Sequence, residues 1–133
     1  MDEVKSRLLG GLGIQGDILQ DPDGRAELQF LVADHHCHAV AQGGYVTAWI
    51  DSAMAHAVNA VAGDEVFCNT LEIKVAFYRP ALVGQIVTAV GWIERLGRNI
   101  TFVEGELRDE SGKVLAKGTS TARLTPVSKE DSG

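Results

Sequence analysis

From Gln42 to Ala62 the chain reads QGGYVTAWIDSAMAHAVNAVA, a helix-length run that is apolar on nearly every side, is entered through two glycines and carries one carboxylate, Asp51. A helix of this kind cannot lie on a surface and must be wrapped by the rest of the chain. Ala48, Ala53, Ala55, Ala57 and Ala60 would let strands approach it closely. Two positions are not explained by packing. Gly43 and Gly44 open the helix where a side-chain cap is usual. Asp51 falls within about 60° of Gly44, Thr47, Ala48, Met54, Ala55 and Val58 on a helical wheel, a wall that predicts a poorly solvated and more basic carboxylate. Because desolvating an acid is unfavourable, its presence there points to chemistry, and the glycine pair with Asp51 forms the candidate site.

The flanking sequence supplies the wrap. Residues 2–9 place Val4, Leu8 and Leu9 on one side of a short helix, a packing flap that Gly10 and Gly11 should stop. Asp21-Pro22-Asp23-Gly24 has turn chemistry and leads into a strand over 25–33 in which Leu28, Phe30 and Val32 alternate. Everything after the helix reads as strand. Over 66–78, Leu71, Ile73, Val75 and Phe77 point one way and Thr70, Glu72, Lys74 and Ala76 the other. Strands over 84–95, 99–108 and 113–124 come next, with links short enough for antiparallel hairpins. The tail, 126–133, is polar and expected to fray. At 133 residues and 45% hydrophobic content, one domain over 1–133 with its core at about 25–124 is expected. One helix and one antiparallel sheet bury each other when the sheet curls round the helix. That gives an α+β fold of five to six strands, whose open edge and remaining helix face call for a second copy of the chain.

A net charge of −6 provides no basic face for nucleic acid. The sequence shows no export leader, and Asp51, His56 and Asn59 interrupt its longest apolar stretch, so no membrane span is expected. Cys37 and Cys68 form neither a disulfide framework nor a CxxC pair, which suits the cytoplasm. His35, His36, Cys37 and His38 have no partner cluster elsewhere, so neither a metal nor another cofactor is expected.

The ordered segments resemble the hotdog-fold acyl-CoA thioesterases of the phenylacetate-degradation and 4-hydroxybenzoyl-CoA type. Gln42-Gly43-Gly44 with Asp51 on the helix matches that family's His-Gly-Gly and acid. Thr70 to Val75, Phe77-Tyr78-Arg79-Pro80 with Gly84, and Gly97-Arg98 with the hairpin from Asp109 to Ala116 match its later segments, so the likeness covers about 25–124. The resemblance implies hydrolysis of an aryl- or medium-chain acyl-CoA, by a homo-oligomer that is a dimer or a homotetramer built as a dimer of dimers. It makes Gly43 the oxyanion donor and Asp51 the nucleophile or general base. Thr70 is then expected to hold the carboxylate or its water, and His36, where the family has Asn or Gln, to orient the thioester. Gln42 replaces the family histidine and cannot titrate. With Gly44 it is expected at the substrate, and Arg79 and Arg98 are candidates for the CoA phosphates.

Thioester hydrolysis needs an oxyanion site and a group that attacks the carbonyl or activates water. Gly43, lacking a Cβ at the positive end of a helix, suits the first, and Asp51 suits the second. Eight residues of helix separate them by about 12 Å, too far to share one carbonyl. If both act, the site must lie across a dimer interface. A hotdog dehydratase or hydratase using His36 or His38 with Asp51 is the rival enzyme, although Ala39-Val40-Ala41 lacks the proline-rich segment those enzymes carry. A non-catalytic acyl-CoA-binding module is the other alternative. The acyl group itself is not readable from these residues.

Overall fold

The computed structural model describes residues 3–127. Helix α1 (Glu3–Leu12) and strands β1 (Ile14–Asp21) and β2 (Arg25–Leu31) precede a 3-10 turn at Asp34–His36. Helix α2 (Gly43–Ala62) and strands β3 (Val66–Phe77), β4 (Ile86–Leu96), β5 (Ile100–Arg108) and β6 (Val114–Pro126) complete the chain order. The strands form one antiparallel sheet in the order β1-β2-β4-β5-β6-β3. α2 touches all six, which requires the sheet to curl about the helix, and this is the hotdog fold.

A row of glycines lets the helix in. Gly91 pairs with Gly105, and Gly105 with Gly118, so β4, β5 and β6 each present a glycine at the same level. On β2, Ala26 continues the row. A Cβ on Gly91 would lie 2.5 Å from the carbonyl carbon and oxygen of Ala53, and one on Gly105 would lie 2.9 Å from Ile50 Cγ2. The helix backbone therefore rests directly on β4, with Trp49, Ile50, Ala53, Ala57 and Val58 fully buried above the sheet.

Three sequence expectations change. β1 is not apparent in the sequence, because its segment IQGDILQD half-buries just two side chains and its register shifts between Gln15 and Leu19, which leaves no clear alternation. α1 does not stop at Gly10 and Gly11. It runs on to Leu12, because Leu9 and Leu12 are buried and Trp49 Nε1–H donates to Leu12 O at 2.8 Å, and packing outweighs the poor propensity of glycine. The stop is Gly13, at φ +86°, where a Cβ would meet Leu31 O at 2.5 Å. β6 extends to Pro126, opposite Val66, so the tail begins later than expected. Asp2 of the expected first helix and residues 128–133 of the tail lie outside the described residues.

Gly91→Ala should be among the most damaging single-methyl additions in the chain, since the obstacle is helix backbone. A loss of about 2 kcal/mol or more in urea unfolding is expected.

Candidate active site

The first turn of α2 leaves one donor open. Gln42 is itself a side-chain cap: its Oε1 accepts from Gly44 N–H at 2.7 Å. Tyr45 and Val46 N–H donate to Gln42 O at 2.9 and 3.2 Å. Gly43 N–H has no acceptor among the described residues. The two glycines thus differ in role. A Cβ on Gly44 would sit 2.6 Å from Gln42 Oε1, so this glycine makes room for the cap, whereas Gly43 packs under Phe77, whose ring would be 3.3 Å from a Cβ there. The result is a single unpaired N–H at the positive end of a 20-residue helix.

Asp51 is half-buried at the margin of the sheet rather than within an apolar wall. The residues grouped with it on the wheel divide. Met54 and Val58 are buried by the sheet, while Thr47, Ala48 and Ala55 stay half-buried beside the carboxylate. The sheet covers the side of α2 centred on Trp49, Ile50, Ala53 and Ala57, and the Ala48–Ala55 side is left open.

Thr70 reaches Asp51 because β3 is not regular. Its pairing with β6 shifts between Thr70 and Glu72, which leaves Leu71 as an extra residue. Before the shift Val66 and Cys68 are the half-buried positions, and after it Ile73 and Val75. The unbroken alternation expected from sequence would turn Thr70 away from Ile73. The bulge places both on the helix side, and Thr70 Oγ1 donates to Asp51 Oδ1 at 2.9 Å.

Beside this pair is a cavity of about 210 Å3, lined by Asp51, Ala55, Phe67 and Cys68, by Leu8 and Leu9 of α1, and by Ser52, His56 and Asn59. Burial and the nearby Asp51 carboxylate push the Cys68 thiol up to about 11. His56 Nδ1–H donates to Ser52 O at 2.7 Å. Sequence reasoning missed these polar residues, although their spacing of four and three puts them on one stripe of the helix next to Asp51. A larger cavity of about 300 Å3, among Glu72, Glu94, Phe102 and Thr121, involves no residue of α2.

His36 does not reach the cavity. It is fully buried, its Nδ1 accepts from Ala33 N–H at 3.0 Å, and its Nε2–H donates to Gly11 O at 2.9 Å. A neutral imidazole used at both nitrogens has nothing left to offer a thioester carbonyl. Arg79 is exposed just past β3, next to the Phe77–Ala116 end of the sheet. Arg98 is exposed in the β4–β5 turn, next to the Ile100–Arg123 end. One chain therefore brings together Asp51 with Thr70, and separately Gln42, Gly43 and Gly44. It leaves the two arginines at opposite ends of the sheet.

Comparison with known proteins gives the family and the fold. Residues 38–116 match the thioesterase superfamily, and the chain belongs to that family. A Caenorhabditis elegans protein named as an esterase is 29% identical over 63% of the chain, and the chain spans about half of that relative's length. Among solved structures, a phenylacetic acid degradation-related protein of Ralstonia eutropha JMP134 is 31% identical, covering 88% of this chain and 89% of its own, at TM-score 0.76. A mutant form of the phenylacetic acid degradation protein PaaI of Thermus thermophilus is 28% identical, covering 88% and 97%, also at 0.76. The same fold at 19% identity, with 85% and 90% coverage and TM-score 0.75, occurs in a Streptococcus mutans UA159 protein solved bound to acetyl CoA.

The raised thiol leaves Cys68 with about a hundredfold less thiolate at pH 8 than an ordinary cysteine. Alkylation by iodoacetamide, followed by mass spectrometry, should be correspondingly slow in the folded protein. It should reach the ordinary rate in urea and rise in Asp51→Asn.

Proposed function

We propose that this chain is an acyl-CoA thioesterase acting on aryl- or medium-chain acyl groups, with Asp51 of one protomer and Gly43 of another at each site. One observation carries the reading: the first turn of α2 keeps Gly43 N–H unpaired among the described residues, while eight residues on, Asp51 is held by Thr70 and lines a partly apolar cavity. Such a pair of half-sites has a use when a carbonyl must be both polarised and attacked. Family membership supports thioester chemistry, and the acetyl CoA bound by the Streptococcus mutans protein supports a CoA carrier.

In this scheme the thioester oxygen accepts a hydrogen bond from Gly43 N–H of the neighbouring protomer. Asp51 then takes one of two routes. In the first its carboxylate adds to the carbonyl carbon, the CoA thiolate leaves, and water cleaves the resulting anhydride. In the second it takes a proton from a water molecule that adds in its place. Thr70 Oγ1–H orients the carboxylate in either route. Gln42, through its bond to Gly44 N–H, keeps the first turn pointed at the oxyanion. Arg79 and Arg98 remain candidates for the CoA phosphates, each serving from its own end of the sheet. His36, one of the two histidines a dehydratase could use as base, has both ring nitrogens engaged, which weighs against it, and leaves the exposed His38 as that alternative's candidate.

The chain is proposed to act as one hotdog domain that pairs through its uncovered surfaces. β3 is an edge strand carrying exposed Phe67, Leu71 and Phe77, a surface that a second copy would cover, giving a dimer or a tetramer of two dimers. No described helix is long and apolar enough to cross a membrane. The two free cysteines fit the cytoplasm.

Asp51→Ala and Asp51→Asn should abolish CoA release from phenylacetyl- or octanoyl-CoA without changing the oligomer on size exclusion. Gly43→Val should do the same. Re-pairing an equal mixture of Gly43→Val and Asp51→Ala chains should restore about a quarter of wild-type turnover, because half the dimers then hold one intact site. Full turnover in Asp51→Ala would sink the mechanism, and no recovery on mixing would sink the shared site. Single turnover in 18O-labelled water tests the first route: label in the Asp51 carboxylate, from water attacking the Asp51 carbon of the anhydride, establishes it, whereas the second route puts label in the product acid alone.

A further inference from the structure

We propose that α1 is the wall that selects the acyl group, with Leu8 and Leu9 closing the Asp51 cavity. The inference rests on Asp51 being the reacting carboxylate. Leu9 and Leu12 are buried and tie α1 to the core, whereas Leu8 is 61% exposed and yet lines the cavity with Leu9. The core does not need Leu8, and the cavity is the surface it serves.

α1 is poorly equipped to stand in that position unaided. It has ten residues and ends through Gly10 and Gly11, and no atom lies within 4 Å of a Cβ built at either glycine, so packing does not demand them. A short helix with two glycines in its last turns is marginal. Side chains from elsewhere hold it. His35 Nε2–H and His36 Nε2–H both donate to Gly11 O at 2.9 Å, and Trp49 Nε1–H donates to Leu12 O at 2.8 Å. Trp49 is on α2, two residues before Asp51, so the wall is anchored to the helix that carries the carboxylate. This arrangement also gives His36 a purpose at the position where the family pattern has Asn or Gln: it positions α1.

The half-open space, about 210 Å3 within one protomer, is small beside the usual ligand sites of roughly 300–1,000 Å3, so a single lining side chain makes up much of its wall. Truncating Leu8 lengthens the space, and enlarging it shortens the space.

The test is kcat/KM across straight-chain acyl-CoAs from acetyl to dodecanoyl for wild type, Leu8→Ala, Leu8→Trp and His35→Ala. Leu8→Ala should raise the decanoyl-to-acetyl ratio about tenfold or more, chiefly through KM, and Leu8→Trp should lower it similarly. His35→Ala, which loosens the clasp at an exposed residue, should shift the ratio in the direction of Leu8→Ala. A second readout needs no turnover. In a Cys37→Ser background, N-ethylmaleimide should label Cys68 faster in Leu8→Ala and more slowly in Leu8→Trp. Unchanged acyl profiles in both Leu8 variants, or equal labelling rates, would overturn the wall while Asp51→Ala still reports on the chemistry. Retained turnover in Asp51→Ala would instead overturn the catalytic reading on which the wall depends.

Discussion

The close approach between α2 and the row Gly91, Gly105 and Gly118 governs most of the remaining structure. A helix resting on strand backbone has little freedom to slide or roll, because either motion drives Ile50, Ala53 or Met54 into positions where even a methyl group does not fit. That contact decides which side of α2 is buried, and so which side is left for Asp51. It also pins the register of three adjacent strands, since a slip of one residue on any of them would break the row.

With α2 held in this way, its first turn and its middle carry the two halves of the proposed site. At the N-terminus, Gln42 and the Gln42 carbonyl occupy the donors of Gly44, Tyr45 and Val46 and leave Gly43 alone. A titratable histidine at position 42 could change charge beside that donor, whereas glutamine keeps the field at the helix start constant with pH. Farther along, the carboxylate is oriented by a neutral hydroxyl rather than a cation. Asp51 thus makes no ion pair among the described residues, which fits the reactive role proposed for it.

Much of this is legible in the chain itself. The length and alanine content of the 42–62 stretch announce the central helix, alternation and turns mark four strands after it, and the family pattern points to Gly43, Asp51 and Thr70. The features that escape notice depend on contacts distant in sequence. β1 alternates too weakly to stand out, and Gln42 is recognisable as a cap only once its fold over Gly44 is seen. The three glycines look like isolated strand breakers until pairing aligns them. His36 looks available because nothing in its neighbourhood announces that Gly11, 25 residues earlier, claims its ring.

The extra residue in β3 shows how little of a candidate site is encoded in hydropathy. Val66, Cys68 and Thr70 are counted in one frame and Ile73 and Val75 in another, with Leu71 as the reset between them. Removing that one residue would barely alter composition or strand propensity. It would, however, rotate half the strand, turning Phe67 and Asn69 inward and the threonine hydroxyl out. In this protein the spacing between the carboxylate and its hydroxyl partner is kept by an irregularity, so a relative that loses the bulge must find that partner elsewhere.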